Sequence, residues 1–320
     1  MKKKIIIFGA LGFIGYELAK KLCHLKFKVD LIDVNIDLTL KNQLKTKFKK
    51  SVRFFQLNLK DKESFKKINF KNYDYIFDCA AFLGVDKIIN KSYESLINNI
   101  EIPINISTFA LKQKKLKKII FMSSSEVYDG GLLNNISHPP NKEETLLTLS
   151  DLQHPRSVYM FSKVAGEMIY INSKLPYINL RLHNVFGPRM CKTHSIPTFI
   201  KKFLSKKKHI EVYNKNHSRS YIFIDDAIDQ IIGVSVDSKI KNRTLNIGNN
   251  KNLYKNHKLV LQIKKLMNLN KKIIYKKDNK NSVHFRQPSL KNLNKIYNFK
   301  DKKNFISQLR KTIDFYEKKQ

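Results

Sequence analysis

The sequence predicts an α/β protein built on a doubly wound parallel sheet, with a smaller lobe formed mainly by its C-terminal part. Three observations predict this. Apolar runs alternate with helical stretches through the first half, as strand-helix-strand units require. The apolar runs are continuous, as in strands buried on both faces. From about Tyr177 the alternation loosens into shorter elements.

In chain order, residues 5–8 read as the first strand and 14–25 as the helix after it. Residues 29–32 then precede a helix at 38–48, and 52–57 precede a helical stretch at 64–68. A strand at 75–79 leads into a long helix within 88–111, and 119–122 forms the fifth strand. Tyr159 begins a helical stretch that runs through Val164, Met168 and Ile171. A further strand at 178–182 is followed by a loop over 184–189 and by elements around 199–204, 221–224, 245–247 and 259–267. The division expected is 1–176 and 177–320, with a soft boundary and some later segments returning to the first part.

With 42% apolar and 28% charged residues over 320 positions, the composition is that of a soluble globular protein. Cys23, Cys79 and Cys191 are far apart and form no CxxC pair, so neither a disulfide framework nor a metal site is expected, and a reducing cytoplasm fits. Lys2, Lys3 and Lys4 ahead of an apolar run resemble a secretory leader. The spaced glycines and the helical pattern after Glu17 assign the segment to the folded domain instead. No stretch approaches the roughly 18 apolar residues of a membrane span. The net charge of +36 comes from lysines spread over almost every segment, which reads as a solvated basic surface rather than a nucleic-acid footprint.

Gly9, Gly12 and Gly15 join the first strand to the first helix, with Phe13 and Ile14 opening that helix. Glycines there allow a tight turn and close backbone approach to a pyrophosphate, which the helix N-terminus attracts. Asp33 lies 18 residues beyond Gly15, at the end of the second strand, where a carboxylate accepts from ribose hydroxyls and repels a 2′-phosphate. NAD is therefore the expected cofactor.

Tyr159 and Lys163 are four residues apart, on one helix face. A tyrosine ionises near pH 10, and an adjacent ammonium beside a cationic cofactor stabilises its phenolate. Lowering that ionisation by about three pH units takes roughly 4 kcal/mol, within reach of two cations in a dry cleft. Ser124 and Glu126 follow the fifth strand at its C-terminal end, where open parallel sheets bind ligands.

Together these motifs resemble the extended short-chain dehydrogenases/reductases of the NAD-dependent epimerase/dehydratase type. The resemblance runs through Gly9 to Gly15, Asp33, Ala80-Ala81, Asn99, the Ser124 segment, Tyr159, Lys163, residues 181–190, Arg219, residues 246–249 and Arg286-Gln287-Pro288. It implies a Rossmann domain with a nucleotide-sugar-binding lobe, and a homodimer formed through two long helices, one containing Tyr159. By resemblance Ser124 is the catalytic hydroxyl, Tyr159 the base, and Lys163 its partner and ribose ligand. Asn58, Leu59, Ala80 and Ala81 would join the cofactor site. Asn99, Ser124, Asn184, Arg219 and Arg286 would contact a nucleotide diphosphate-sugar, and arginines suit a diphosphate on electrostatic grounds.

Family members share oxidation at C4 of the sugar, hydride passing to NAD, and then diverge. An epimerase working through a transient 4-keto sugar is the leading expectation. The same family offers a UDP-glucuronate decarboxylase or a 4,6-dehydratase, for which Glu126 would be a second acid/base. A non-catalytic RNA-binding relative is the alternative of another class. Four positions depart from the common pattern: Asp78 replaces His or Asn, Asn58 replaces Asp, Asp129 replaces the Gly after Val-Tyr, and Ser289 replaces the Asp after Arg-x-Pro.

Overall fold

The computed structural model describes residues 3–68, 72–82, 90–277, 282–299 and 304–318. Its centre is a seven-stranded sheet. The strands are β1 (Lys4–Phe8), β2 (Lys28–Asp33), β3 (Val52–Gln56), β4 (Tyr75–Asp78), β5 (Lys118–Ser124), β6 (Tyr177–Leu182) and β11 (Arg243–Ile247). Their order is β11-β6-β5-β4-β1-β2-β3. The pairings β1 with β2, β2 with β3, β1 with β4 and β4 with β5 are all parallel. The doubly wound α/β class is thus borne out. Strand order reverses between β1 and β4, the position at which such sheets bind ligands beyond their strand ends.

Helices α1 (Phe13–His24), α2 (Leu38–Phe48), α3 (Ser92–Leu111) and α5 (Pro155–Asn172) connect these strands, and the short α4 (Asp129–Leu133) follows β5. Later come α6 (Ser195–Leu204), α7 (Ile224–Ser235), α8 (Asn256–Met267), α9 (Lys291–Ile296) and α10 (Phe305–Glu317). The expected start of α3, at 88–89, lies outside the described residues.

The chain divides into two compact units. The first comprises Met1–Ser124, Leu152–Arg181 and Ile228–Leu245, and the second Ser125–Asp151, Leu182–Ala227 and Asn246–Gln320. The chain passes between them several times, and the second unit also takes residues 125–151 from the N-terminal half.

In the first unit every residue of β1 after Lys4 is buried, which is why the run is continuously apolar. Ile6 and Phe8 pack with Ile106 and Phe109 of α3 and with Phe65 and Phe121. Phe8 meets Phe109 edge-on at 5.9 Å, a favoured aromatic geometry. Of the expected helical residues 64–68, the first four lie in a 3₁₀ turn (Lys62–Lys67) and Ile68 caps it. Asp61 tightens it by accepting from the Glu63 N–H at 2.9 Å and the Ser64 hydroxyl at 2.8 Å.

The second unit contains small sheets: β7 (Val185–Phe186) with β10 (Ile222–Phe223), β8 (His209–Val212) with β13 (Lys272–Tyr275), and β9 (Ser218–Ser220) between β12 (Leu253–Lys255) and β14 (Phe285–Arg286). Phe186, Tyr221, Tyr254 and Phe305 form its aromatic centre, the last two stacked at 4.2 Å. Neither α7 nor α10 was read in the sequence.

Candidate active site

The turn after β1 depends on its glycines. Gly9 has φ +72°, and a Cβ there would meet the Ala80 N and Cα at 2.7 Å. A Cβ on Gly15 would stand 2.2 Å from the Gly9 carbonyl oxygen. Gly12 has more room, 3.3 Å to the same oxygen, and caps α1 with no side-chain hydrogen bond to the first turn. The amides at that helix end suit an anion. Phe13 and Ile14 are half-buried behind them.

Asp33, at the end of β2, is folded against the same loop. Its carboxylate accepts from the Leu11 N–H at 2.9 Å and the Asn35 N–H at 3.2 Å. The Ala10 N–H reaches the Ile32 carbonyl at 3.0 Å, fixing the glycine turn to β2. These residues fit a dinucleotide: an uncapped helix start follows a glycine turn and a carboxylate stands beside it. Ala80 and Ala81 are half-buried just after β4, Ala80 against Gly9. Asn58 is exposed and accepts from the Lys60 N–H at 3.2 Å. Leu59 is buried, its carbonyl held by Asn105 at 2.9 Å.

At the end of β5 the alternation of strand side chains separates Ser123 from Ser124. Ser123 is buried and donates to Glu167 at 2.5 Å. Arg181 grips the same carboxylate through Nε at 2.9 Å and Nη2 at 2.7 Å, so this part of the sheet is locked to α5. Ser124 is half-buried, as are Glu126, in the 3₁₀ turn Ser125–Tyr128, and Tyr159 on α5.

Lys163 is buried. Its Nζ donates to the Met122 carbonyl at 2.8 Å and lies 4.7 Å from the centre of the Phe121 ring and 5.8 Å from that of Tyr159. A Cβ on Gly166 would sit 2.5 Å from the Phe121 ring, so that glycine admits the ring against α5. Burial pulls the Lys163 ammonium below the usual lysine value, opposed by the nearby Asp78, Cys79 and Glu167 side chains. Asp78, the β4 neighbour of Phe121, is wholly buried. It accepts from the Tyr170 hydroxyl at 2.7 Å and the Ala80 N–H at 3.1 Å. Burial pushes its carboxyl up to about 6, against the pull of Tyr170, Lys163 and the Ala80 N–H.

The sequence reading missed the Asp78–Tyr170 pair and the Glu167–Arg181 clamp. A signal for the first was present, because Tyr170 follows Lys163 by seven residues on one helical face.

Asn99 is buried with its amide used twice on Phe82, accepting from N–H at 2.7 Å and donating to C=O at 3.2 Å. It therefore anchors the segment after β4. In the second unit Asn184, at φ +38°, donates to the Ser220 carbonyl at 3.1 Å. Arg219 and Arg286 are register partners on β9 and β14. Arg219 donates to the carbonyls of Ser218 at 2.9 Å, His284 at 3.2 Å and Val283 at 2.7 Å. Arg286 forms a buried ion pair with Asp129. Among the described residues no group of three or more His, Cys, Asp or Glu could hold a metal ion, and no helix is long and apolar enough to cross a membrane.

This chain is similar to several proteins of known sequence or structure. A dTDP-D-glucose 4,6-dehydratase of Dictyostelium discoideum is 31% identical over 238 residues, 71% of this chain but 54% of the relative, so the chain spans about half of that protein. A UDP-N-acetyl-alpha-D-glucosaminuronate decarboxylase of Bacillus cytotoxicus is 30% identical over 254 residues, 78% of this chain and 75% of the relative. The structure of a UDP-N-acetylglucosamine 4-epimerase from Methanobrevibacter ruminantium M1, in complex with UDP-N-acetylmuramic acid, superposes with a TM-score of 0.84 at 25% identity and covers all of both chains. A family model matches residues 5–248, from β1 through the Asn246-Ile247-Gly248 segment, and by this the chain belongs to the NAD dependent epimerase/dehydratase family.

Proposed function

We propose that this protein is an NAD-dependent nucleotide-sugar epimerase that works through a transient 4-keto sugar. The observation that carries the reading is the buried Lys163 ammonium, fixed to the Met122 carbonyl and 5.8 Å from the Tyr159 ring centre, one helical turn along α5. A fixed cation beside a tyrosine favours its phenolate, the form that can take a proton near neutral pH.

Gly9, Gly12, Phe13, Ile14, Gly15, Asp33, Asn58, Leu59, Ala80, Ala81 and Lys163 would hold NAD, which when bound supplies a reversible two-electron oxidant for the sugar. Tyr159 removes the proton of the reacting hydroxyl and later gives it back. Ser124 hydrogen-bonds the same oxygen and orients it. Lys163 keeps Tyr159 in its basic form and contacts the cofactor ribose. Asn184, Arg219 and Arg286 take the nucleotide diphosphate-sugar. Asn99 acts on that site through Phe82, whose backbone it holds.

The two curated relatives near 30% identity support a second reading within the family, a decarboxylase or a 4,6-dehydratase. In that case Glu126 is the further acid/base. Incubating the purified protein with UDP-, GDP- and dTDP-sugars and weighing the products separates the readings. The epimerase gives unchanged mass with altered stereochemistry; loss of carbon dioxide or water selects the second reading, and no conversion of any sugar rejects both.

The proposed assembly is a homodimer formed through α3 and α5. Its support is the row of exposed apolar side chains on these helices: Tyr93, Ile104 and Leu111 on α3, with Phe161, Met168 and Ile171 on α5. A cytoplasmic setting suits the three free cysteines.

A further inference from the structure

The three-stranded sheet of the second unit sets Arg219 and Arg286 at matched positions on parallel neighbouring strands, so two cationic side chains start from one face of that sheet. Their partners differ in kind. Arg219 is held by neutral carbonyl oxygens. Arg286 donates Nη2 to Asp129 Oδ2 in an ion pair whose side chains are 8% and 11% exposed. Its Nε–H is buried and has no hydrogen-bond partner among the described residues.

Burying an ion pair has a large desolvation cost, so such a pair is weak evidence of a purely stabilising role. A carboxylate on a guanidinium is also chemically close to a phosphate on the same group, since each is an anion that presents two oxygens to paired N–H donors.

We propose that Asp129 is a specificity-determining residue that occupies Arg286 in place of a ligand anion and competes with the diphosphate of the nucleotide sugar. This rests on the nucleotide-sugar reading above. The carboxylate lowers the net positive charge of the arginine pair, so a diphosphate must displace or share Asp129 to engage Arg286, and the unused Nε–H is the donor that remains for a ligand oxygen. Binding of free nucleoside diphosphates is weakened as a result, and the Michaelis constant for the sugar nucleotide is raised with it.

The test is calorimetric titration of UDP and of dTDP into the full-length, NAD-loaded protein at fixed ionic strength, comparing wild type with Asp129→Asn, Asp129→Gly and Asp129→Glu. Asp129→Asn keeps the shape of the side chain, so the comparison survives if the glycine variant does not fold. Removing the charge should tighten binding of whichever nucleotide the wild type prefers by about tenfold or more, with KM for the turned-over sugar falling in parallel, while Asp129→Glu stays near wild type. Equal or weaker binding by Asp129→Asn overturns the proposal and leaves the pair a structural one. Wild-type protein that binds a nucleotide but converts no sugar refutes the enzymatic reading alone; absence of nucleotide binding in all four proteins overturns both.

Discussion

The Tyr170 hydroxyl donates to Asp78 Oδ2 at 2.7 Å, and both side chains are wholly inaccessible to solvent. One end of this contact belongs to β4 and the other to α5, the helix that carries Tyr159 and Lys163. Asp78 is therefore a negative charge buried under the same cluster of side chains as the Lys163 ammonium. Asp78 interacts with Tyr170 and Lys163 on α5 and with Cys79 and the Ala80 N–H just after β4, and Glu167 on α5 interacts with Lys163.

This burial makes stability depend on pH. The Asp78 carboxyl rises from 3.8 to about 6 on folding, so between those values the folded protein binds more protons than the unfolded chain. The contribution is fully present below 3.8 and is lost as pH rises to 6. At neutral pH the loss is on the order of 3 kcal/mol. Urea unfolding of wild type and Asp78→Asn across this range should show the variant gaining relative stability as pH rises. A difference that stays constant with pH contradicts the assignment.

The glycines of the first turn make unequal demands. Gly9 and Gly15 meet backbone at 2.7 and 2.2 Å if given a Cβ, whereas Gly12 meets its nearest atom at 3.3 Å. Gly12→Ala should then fold, with its melting temperature lowered by only a few degrees, yet bind NAD at least about tenfold more weakly because the methyl group intrudes on the pyrophosphate approach. Equilibrium dialysis with NAD measures this. Unchanged affinity would place the dinucleotide elsewhere.

The proposed dimer predicts a response to charge on α5. Phe161 and Met168 are exposed and seven residues apart, on one helix face. Replacing both with Asp should leave a folded monomer in sedimentation velocity where wild type runs as a dimer. A monomeric wild type, or a variant that stays dimeric, removes α5 from the interface.

Much of the first unit was legible because each sheet strand announces itself locally. The continuous runs in β1, β4 and β5 need no partner to be recognised, and the glycine turn with Asp33 lies within 25 residues of chain. Tyr159 and Lys163 were visible for the same reason. What escaped depends on distant pairing: Asp78 and Tyr170 are 92 residues apart, and Asp129 and Arg286 are 157 apart. Helix α10 hid its apolar face, Phe305, Leu309 and Ile313 at spacing four, because Gln308 and Thr312 are buried beside it. Gln308 is there to donate to Asp226 at 2.6 Å, a need that no local pattern reveals.

In the proposed reaction Tyr159 and Ser124 manage the proton of a sugar hydroxyl while the hydrogen on C4 is removed and returned. Its most direct test is turnover of a nucleotide sugar carrying deuterium at C4, in ordinary water, with the product examined by mass spectrometry and NMR. The product expected is inverted at C4 and keeps its deuterium there, formed by wild type and slowed by roughly 10²–10⁴ in Tyr159→Phe. A product that has lost the deuterium to solvent, or that Tyr159→Phe forms at the wild-type rate, would contradict it.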